Sequence, residues 1–322
     1  MVYFHKIGFD FLKFEGNDRL DLINRLSTNE VNSLEKFRGI RTILTSDKGR
    51  IIDVLTLFNF GDFVFSLCSA GNSGKVISHL DKYTIMDDFR VVNMTGTHEA
   101  VLFFGSEAGT FSAELFGKDV TALERNDFVI HSEDKRDALL ARNDDLLGGE
   151  YFIYAVEDKE YWDRRLFSEV NTSKYSFSEV SEFEYEAERI EKGIPAFGKE
   201  LTESVNPLEC GLNDYVSFTK GCYIGQEVVA RLDAYDKISK LLVGIKATED
   251  LSSDETGTGL KIYSDGKECG FITSAAYSET LGYLGLGFVK TIFLNFENKY
   301  EIKKGGRIIG CTLSKLPFEV RE

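Results

Sequence analysis

Residues Lys220-Gly221-Cys222-Tyr223-Ile224-Gly225-Gln226-Glu227 put an ammonium and a thiol two positions apart in a glycine-bearing turn. If the alternation of Val216 and Phe218 runs on, a period of two places Lys220 and Cys222 on one face. Gln226, Glu227, Val228, Val229 and Leu232 read as the start of a helix whose positive end points back at the sulfur. A cysteine thiol of ordinary pKa, ~8.5, is only about 3% ionised at pH 7, and a cation plus a helix N-terminus that lowered it to ~7 would ionise roughly half. The competing reading of Cys222 is a small packed hydrophobe, a common fate of free cysteine. Asp53, after the turn Asp47-Lys48-Gly49, is a second candidate acid or base. Arg189 and Glu191 form a third group near the end of a helix, where the macrodipole favours the cation and disfavours the acid by ~0.3–1 kcal/mol. The other reading of Glu191 is a solvated surface acid that tolerates this small cost.

The elements that must carry these residues alternate in type. Asn17 or Asp18 caps a helix with Leu20, Ile23 and Leu26 on one stripe. Arg41 to Ser46 and Arg50 to Phe58 flank Asp47-Lys48-Gly49 as a hairpin, since Gly49 supplies the positive φ of a tight turn. Asp62 to Ser69 reads as a strand, and Gly71 to Tyr83 as a helix burying Val76, Ile77 and Leu80. Strands at 101–104, 128–131, 138–142 and 151–156 and helices over 106–116 and after Asp158 repeat the pattern. Ser181 with Glu184 reads as a capping box for a helix that buries Phe183, Ala187 and Ile190 and stops at Gly193 and Pro195. Beyond Lys240, short alternating strands with turns at Asp265-Gly266, Gly270 and Gly305-Gly306 predict a small β-barrel. Gly282, Gly285 and Gly287 belong to strands and turns rather than to a phosphate loop, because no helix follows. The fold class is α+β, divided as 1–239 and 240–322.

Composition narrows the chemistry. A formal charge of −15 over 322 residues disfavours DNA or RNA as a partner. The N-terminus lacks a signal-peptide pattern and no apolar run is long enough to span a bilayer, so a cytoplasmic protein with no membrane partner is expected. The five cysteines are an odd number without a C-x-x-C pair, against a disulfide framework or zinc ribbon. His5, His79, His98 and His131 lack metal-ligand spacing and read as surface or capping residues. No G-x-S-x-G or Walker-type segment occurs.

The string K-G-C-Y-I-G-Q-E at 220–227, with R-I-E-K-G-I-P-A-F-G-K-E at 189–200 and N-P-L-E at 206–209, resembles the signature region of the YgfZ family of folate-binding, iron–sulfur-related proteins, relatives of the glycine-cleavage T-protein. Looser likeness runs through Gly16-Asn17-Asp18, Leu26-Ser27-Thr28-Asn29, Gly49-Arg50-Ile51-Ile52-Asp53 and Gly270-Phe271-Ile272-Thr273-Ser274. The resemblance implies a three-subdomain ring around a folate site, with two interleaved α+β subdomains followed by the barrel. It implies that Cys222 and Lys220 are the functional pair, that Gln226 and Glu227 shape their turn, and that Arg189, Glu191, Lys220, Gln226 and Glu227 serve the cofactor, tetrahydrofolate or a derivative. Lys36, Arg38 and Arg41 are then one candidate patch for the glutamate tail, or else a solvated loop. The implied role is support of iron–sulfur enzyme assembly or repair, with client or assembly proteins as partners. The alternative is a folate-dependent one-carbon (aminomethyl or methyl) transferase using Asp53. T-protein relatives carry two adjacent acids at this hairpin, where the present chain has Asp53-Val54. They also carry a pterin-binding Glu in the strand matching Tyr151 to Ile153, to which only Glu150 is adjacent.

Overall fold

The structure, a computed structural model, describes residues 1–116, 120, 122–142, 152–156, 158–234, 238–251 and 259–319. Glu150 and Tyr151 lie outside the described residues. The chain forms two compact units, one of Met1–Ser46, Ile52–Ser181 and Tyr215–Ile224, the other of Asp47–Ile51, Glu182–Asp214 and Gly225–Glu322.

The first unit contains, in order, β1 (Val2–Ile7), β2 (Phe9–Glu15), α1 (Arg19–Leu26), β3 (Gly39–Thr45), β4 (Ile51–Asn59), β5 (Val64–Ser69), α2 (Ser73–Tyr83), β6 (Arg90–Asn93), β7 (Glu99–Phe104), α3 (Ala108–Phe116), β8 (Phe128–Glu133), β9 (Arg136–Arg142), β10 (Phe152–Val156), α4 (Lys159–Leu166), α5 (Glu169–Lys174) and β11 (Phe177–Glu179). They build two sheets, in the orders β3-β4-β5-β2-β6 and β11-β1-β7-β10-β9-β8. The chain is interleaved between them, because β1 joins the second sheet before β2 opens the first. Strand alternation divides each sheet into two faces. On the first, Leu12, Phe14, Val64 and Cys68 pack with Leu22, Ile23, Val76 and Leu80 of α1 and α2. At eight residues α1 is too short to persist alone, and burial of Leu22 and Ile23, each worth about 1.5–3 kcal/mol, holds it. On the second, Val101, Phe103, Ala138 and Leu140 pack with Phe111, Trp162 and Leu166. Asp158 caps α4 by accepting from the Tyr161 amide at 3.1 Å.

The second unit contains α6 (Glu182–Glu191), α7 (Gln226–Ala234), β12 (Lys240–Ala247), β13 (Lys261–Ser264), β14 (Lys267–Ser278), β15 (Gly282–Lys290), β16 (Lys299–Lys304) and β17 (Arg307–Ser314). The six strands close into a barrel ordered β12-β15-β14-β13-β16-β17. Asp265-Gly266 and Gly305-Gly306 make turns as expected, whereas Gly270 lies inside β14, where a Cβ would come within 2.4 Å of the Phe288 carbonyl. Gly193 ends α6 with φ +71°. The buried face of α6 is Tyr185, Arg189 and Ile190, while Phe183 is 65% exposed. This corrects the predicted stripe: the helix turns an arginine inward, and an apolar-only count misplaces its face. No helix among the described residues is long and apolar enough to cross a membrane.

Candidate functional site

The turn carrying Cys222 is anchored through Lys220. The Lys220 ammonium donates to the carbonyls of Asn24 at 2.7 Å and Ser27 at 3.0 Å, and to that of Asn29. Three protons meet three carbonyls at and just beyond the C-terminal end of α1, the end that attracts cations. Burial pushes this amine down to about 8, and the nearby Glu30 carboxylate opposes the shift. Further bonds stitch the segment down: Ser217 N to Thr28 O at 2.9 Å, Ile224 N to Arg25 O at 3.0 Å, and Thr45 Oγ1 to Ile224 O at 2.6 Å. Lys220 therefore fixes the loop, with its protons spent on backbone carbonyls.

Cys222 is exposed, whereas Cys68, Cys210, Cys269 and Cys311 are buried. Burial raises those four thiols, Cys311 to about 12. A thiolate is the nucleophile and metal ligand, so of the five only Cys222 combines access with a fixed loop. Gln226 and Glu227 open α7; Gln226 is partly buried and Glu227 exposed. Among the described residues no group of three or more His, Cys, Asp or Glu is arranged to hold a metal ion.

Asp53 is sealed. Its side chain is wholly buried. Oδ1 accepts from Val54 N at 2.8 Å and Ser69 Oγ at 2.6 Å, and Oδ2 from Ser69 N at 3.1 Å and Asn72 Nδ2 at 2.9 Å. Burial raises its pKa, against the lowering effect of these bonds. Two bonds to each oxygen fill its acceptor capacity and tie β4 to the β5–α2 connection.

Arg189 is equally committed. Nε and one Nη2 proton hold the two oxygens of Glu186 at 2.6 and 2.5 Å. Nη1 reaches Ile194 O at 2.8 Å and Glu200 Oε2 at 3.3 Å, and Nη2 also donates to Ser274 Oγ at 2.6 Å. All five guanidinium donors are used within the unit, joining α6, the 194–200 loop and β14. Burial works against this charge, but Glu186 and Glu200 outweigh it and raise the pKa. Glu191 is partly exposed in the last turn of α6. Glu188, one turn earlier, was not singled out by the sequence, and burial and Glu191 push its carboxyl up.

The expected cationic patch divides. Lys36 lies 4.8 Å from the Phe37 ring centre, and Arg38 pairs with Glu124 and Asp127. Arg41 instead meets Arg125 at Tyr215, the two donating to its hydroxyl at 3.2 and 3.3 Å.

Sequence reasoning also missed a cavity of about 200 Å³ in the first unit. Phe65 and Lys13 alternate with the helix-facing residues of their strands, as do Asp137 and Leu139 of β9 and Ile130 of β8, so the cavity lies between the helix-free faces of the two sheets. Phe60, Phe63, Met94 and His98 complete it. Its sequence signal is four Phe within 58–65. The partners on β8 and β9 come from more than sixty positions away. Aromatic walls with a few polar groups suit a flat heterocycle, and the volume is below the ~300–1,000 Å³ of whole drug-sized ligand sites, enough for one ring system.

Residues 240–318 match the profile of the glycine cleavage T-protein C-terminal barrel domain. The structure superposes on the glycine cleavage system aminomethyltransferase T of Bartonella henselae with a TM-score of 0.85, covering 99% of this chain and 86% of that one at 17% identity. This is the glycine-cleavage aminomethyltransferase fold. Along the sequence the chain is 26% identical over 321 residues to a chloroplastic protein of Arabidopsis thaliana that carries a provisional transferase name, covering 98% of this chain and 70% of that one. It is 27% identical over 294 residues to an aminomethyltransferase of Aquifex aeolicus, covering 91% and 77%. Within this aminomethyltransferase fold, the T-protein barrel corresponds to β12–β17.

Proposed function

We propose that this chain is a tetrahydrofolate-binding protein of YgfZ type that supports assembly or repair of iron–sulfur enzymes in the cytoplasm, with Cys222 as its reacting group. One contrast carries the reading: Asp53 is buried with both oxygens doubly bonded, whereas Cys222 is exposed on a loop pinned by Lys220. Aminomethyl transfer through Asp53 would require that network to open, and the T-protein resemblance implies a second acid where this chain has Val54. The reading therefore places function on the thiol. In this reading its partners are iron–sulfur client or assembly proteins.

The Phe-lined cavity supports a folate ligand. A pterin is flat and apolar on its faces and has hydrogen-bonding edges, which Lys13, His98 and Asp137 border. Calorimetric titration of the full chain with tetrahydrofolate should give one site. Met94→Trp, which fills the cavity from a partly exposed position, should abolish binding with the melting temperature preserved. Equal affinity in Met94→Trp would remove the cavity from the account. The aminomethyltransferase names of the sequence relatives favour a second reading, a folate-dependent transferase. It predicts turnover of an aminomethyl donor that Asp53→Asn eliminates.

A further inference from the structure

The Phe-lined cavity, at about 200 Å³, holds one ring system, so the rest of a folate has to lie outside it. The aromatic wall does not stop at the cavity. Phe60, which lines it, lies 5.0 Å from the Phe128 ring, centre to centre, and Phe128 lies 6.3 Å from Phe37 in an edge-on arrangement. Phe128 is buried, whereas Phe37 is 49% exposed. Within the first unit a continuous run of rings therefore leads from the cavity to the surface.

Phe37 is also held in a conformation that suits glycine. Its φ is +65°, in the left-handed region where the Cβ of a bulky residue is crowded. The backbone around it is tied down, with Phe37 N donating to Asn59 O at 2.7 Å and Asn59 N to Arg38 O at 3.1 Å. The buried Asn59 side chain adds a bond on each side, donating to Leu34 O at 2.7 Å and accepting from Gly61 N at 2.9 Å. The 34–38 loop and the 59–61 turn are thus bound into one piece, and they hold a strained aromatic residue with half of its surface in solvent. Strain of this kind persists where the surroundings over-determine it, and it gathers at ligand clamps.

Lys36 stands beside the ring. Its stem lies against Gly61, where an added Cβ would come within 2.8 Å of Lys36 Cδ, and its ammonium is 4.8 Å from the Phe37 ring centre. Arg38, by contrast, is paired with Glu124 and Asp127. An exposed aromatic ring with an ammonium at its side is complementary to an aryl group that carries carboxylates.

We propose that Lys36 and Phe37 form the tail subsite of the folate: the p-aminobenzoyl ring stacks on Phe37 and a glutamate carboxylate meets the Lys36 ammonium, while the pterin occupies the cavity beyond Phe60. This rests on the folate reading above and adds to it a subsite that selects the aryl-glutamate tail.

The test titrates the full chain with tetrahydrofolate and with tetrahydropterin, the same ring without its tail. Wild type should bind tetrahydrofolate about tenfold more tightly than tetrahydropterin. Phe37→Gly should weaken tetrahydrofolate about fivefold, the worth of one aromatic stack, and leave tetrahydropterin unchanged. Phe37→Tyr keeps a ring in place and should stay within about twofold of wild type. Glycine relieves the left-handed backbone, so Phe37→Gly should melt above Phe37→Ala, which separates lost stacking from unfolding. Lys36→Gln, at an exposed position, gives a second route: it should weaken tetrahydrofolate about threefold at low ionic strength, with the difference shrinking at about 1 M salt. Wild-type tetrahydrofolate affinity in Phe37→Gly, or in Lys36→Gln if that variant is the readable one, would overturn the proposal, as would an equal loss for both ligands. If wild type binds the two ligands equally, the tail subsite falls while the folate reading stands. If wild type binds no reduced folate, both fall.

Discussion

Arg189→Met separates a ligand-facing arginine from a structural one. The change keeps an unbranched chain in the site and deletes five donors. Glu200 is wholly buried and would retain only Ala196 N at 2.9 Å and Ser274 Oγ at 2.6 Å. Glu186 would retain Lys199, and Ile194 O would lose its guanidinium donor. Removing one member of a buried ion pair costs about 3–5 kcal/mol because the remaining charge stays desolvated. At roughly 2–4 °C per kcal/mol for a domain of 150–250 residues, the melting temperature should fall by about 10 °C. Adding Glu200→Gln removes the stranded charge, so the double variant should recover about 1–3 kcal/mol, read by urea unfolding of the four proteins of the cycle. A pH arm follows. Arg189 and Lys199 outweigh the opposing burial and hold the Glu186 carboxyl below its ordinary 4.5. Its contribution is therefore full above about pH 4.5 and lost as pH falls through the lower folded value, and this acid sensitivity should shrink in Arg189→Met. A melting temperature within 2 °C of wild type, together with lost tetrahydrofolate binding, would refute the reasoning.

Two further outcomes follow from the same geometry. Asp53→Asn turns an amide N–H₂ toward groups that donate, so it should cost about 1–3 kcal/mol in urea unfolding, and unchanged stability would mean the carboxylate is not held as described. For Lys220, burial sets the folded pKa at about 8, below the ~10.4 of a free lysine, so the unfolded chain binds more protons between these values and stability should rise across that window. Lys220→Met should abolish this rise, and its net loss at pH 7 should be about 1–3 kcal/mol, because three carbonyls lose their donor while a desolvated charge is also removed. A wild-type stability that stays flat from pH 8 to 10 would contradict the placement of the ammonium.

The legible parts of this chain were those written in local pattern. The Asp47-Lys48-Gly49 turn, the Asp158 cap, the Gly193 stop and the barrel strands each declare themselves within a few residues, since turn chemistry and period-two alternation are short-range. The face of α6 did not, because Arg189 is buried against the Glu200 carboxylate and the Ser274 hydroxyl, partners that helical periodicity cannot see. Asp53 was recognisable as an acid after a hairpin, but its closure depends on Ser69 and Asn72, sixteen and nineteen residues on. Lys220 was placed beside the thiol by alternation. The structure instead spends its protons on Asn24, Ser27 and Asn29, almost two hundred positions earlier. The sequence offers His98 only as a surface or capping residue. Its cavity forms only when two sheets, separated in sequence, meet across their helix-free faces.

The central claim rests on Cys222 acting as a thiol rather than as packing. As an exposed residue it should tolerate Cys222→Ser with a stability change within about 0.5 kcal/mol. The direct measurement is iron–sulfur enzyme activity in cells whose only copy of this protein is Cys222→Ser, with its level and melting temperature matched to wild type. Activity reduced to that of cells lacking the protein is the predicted result. Full activity would contradict the thiol role.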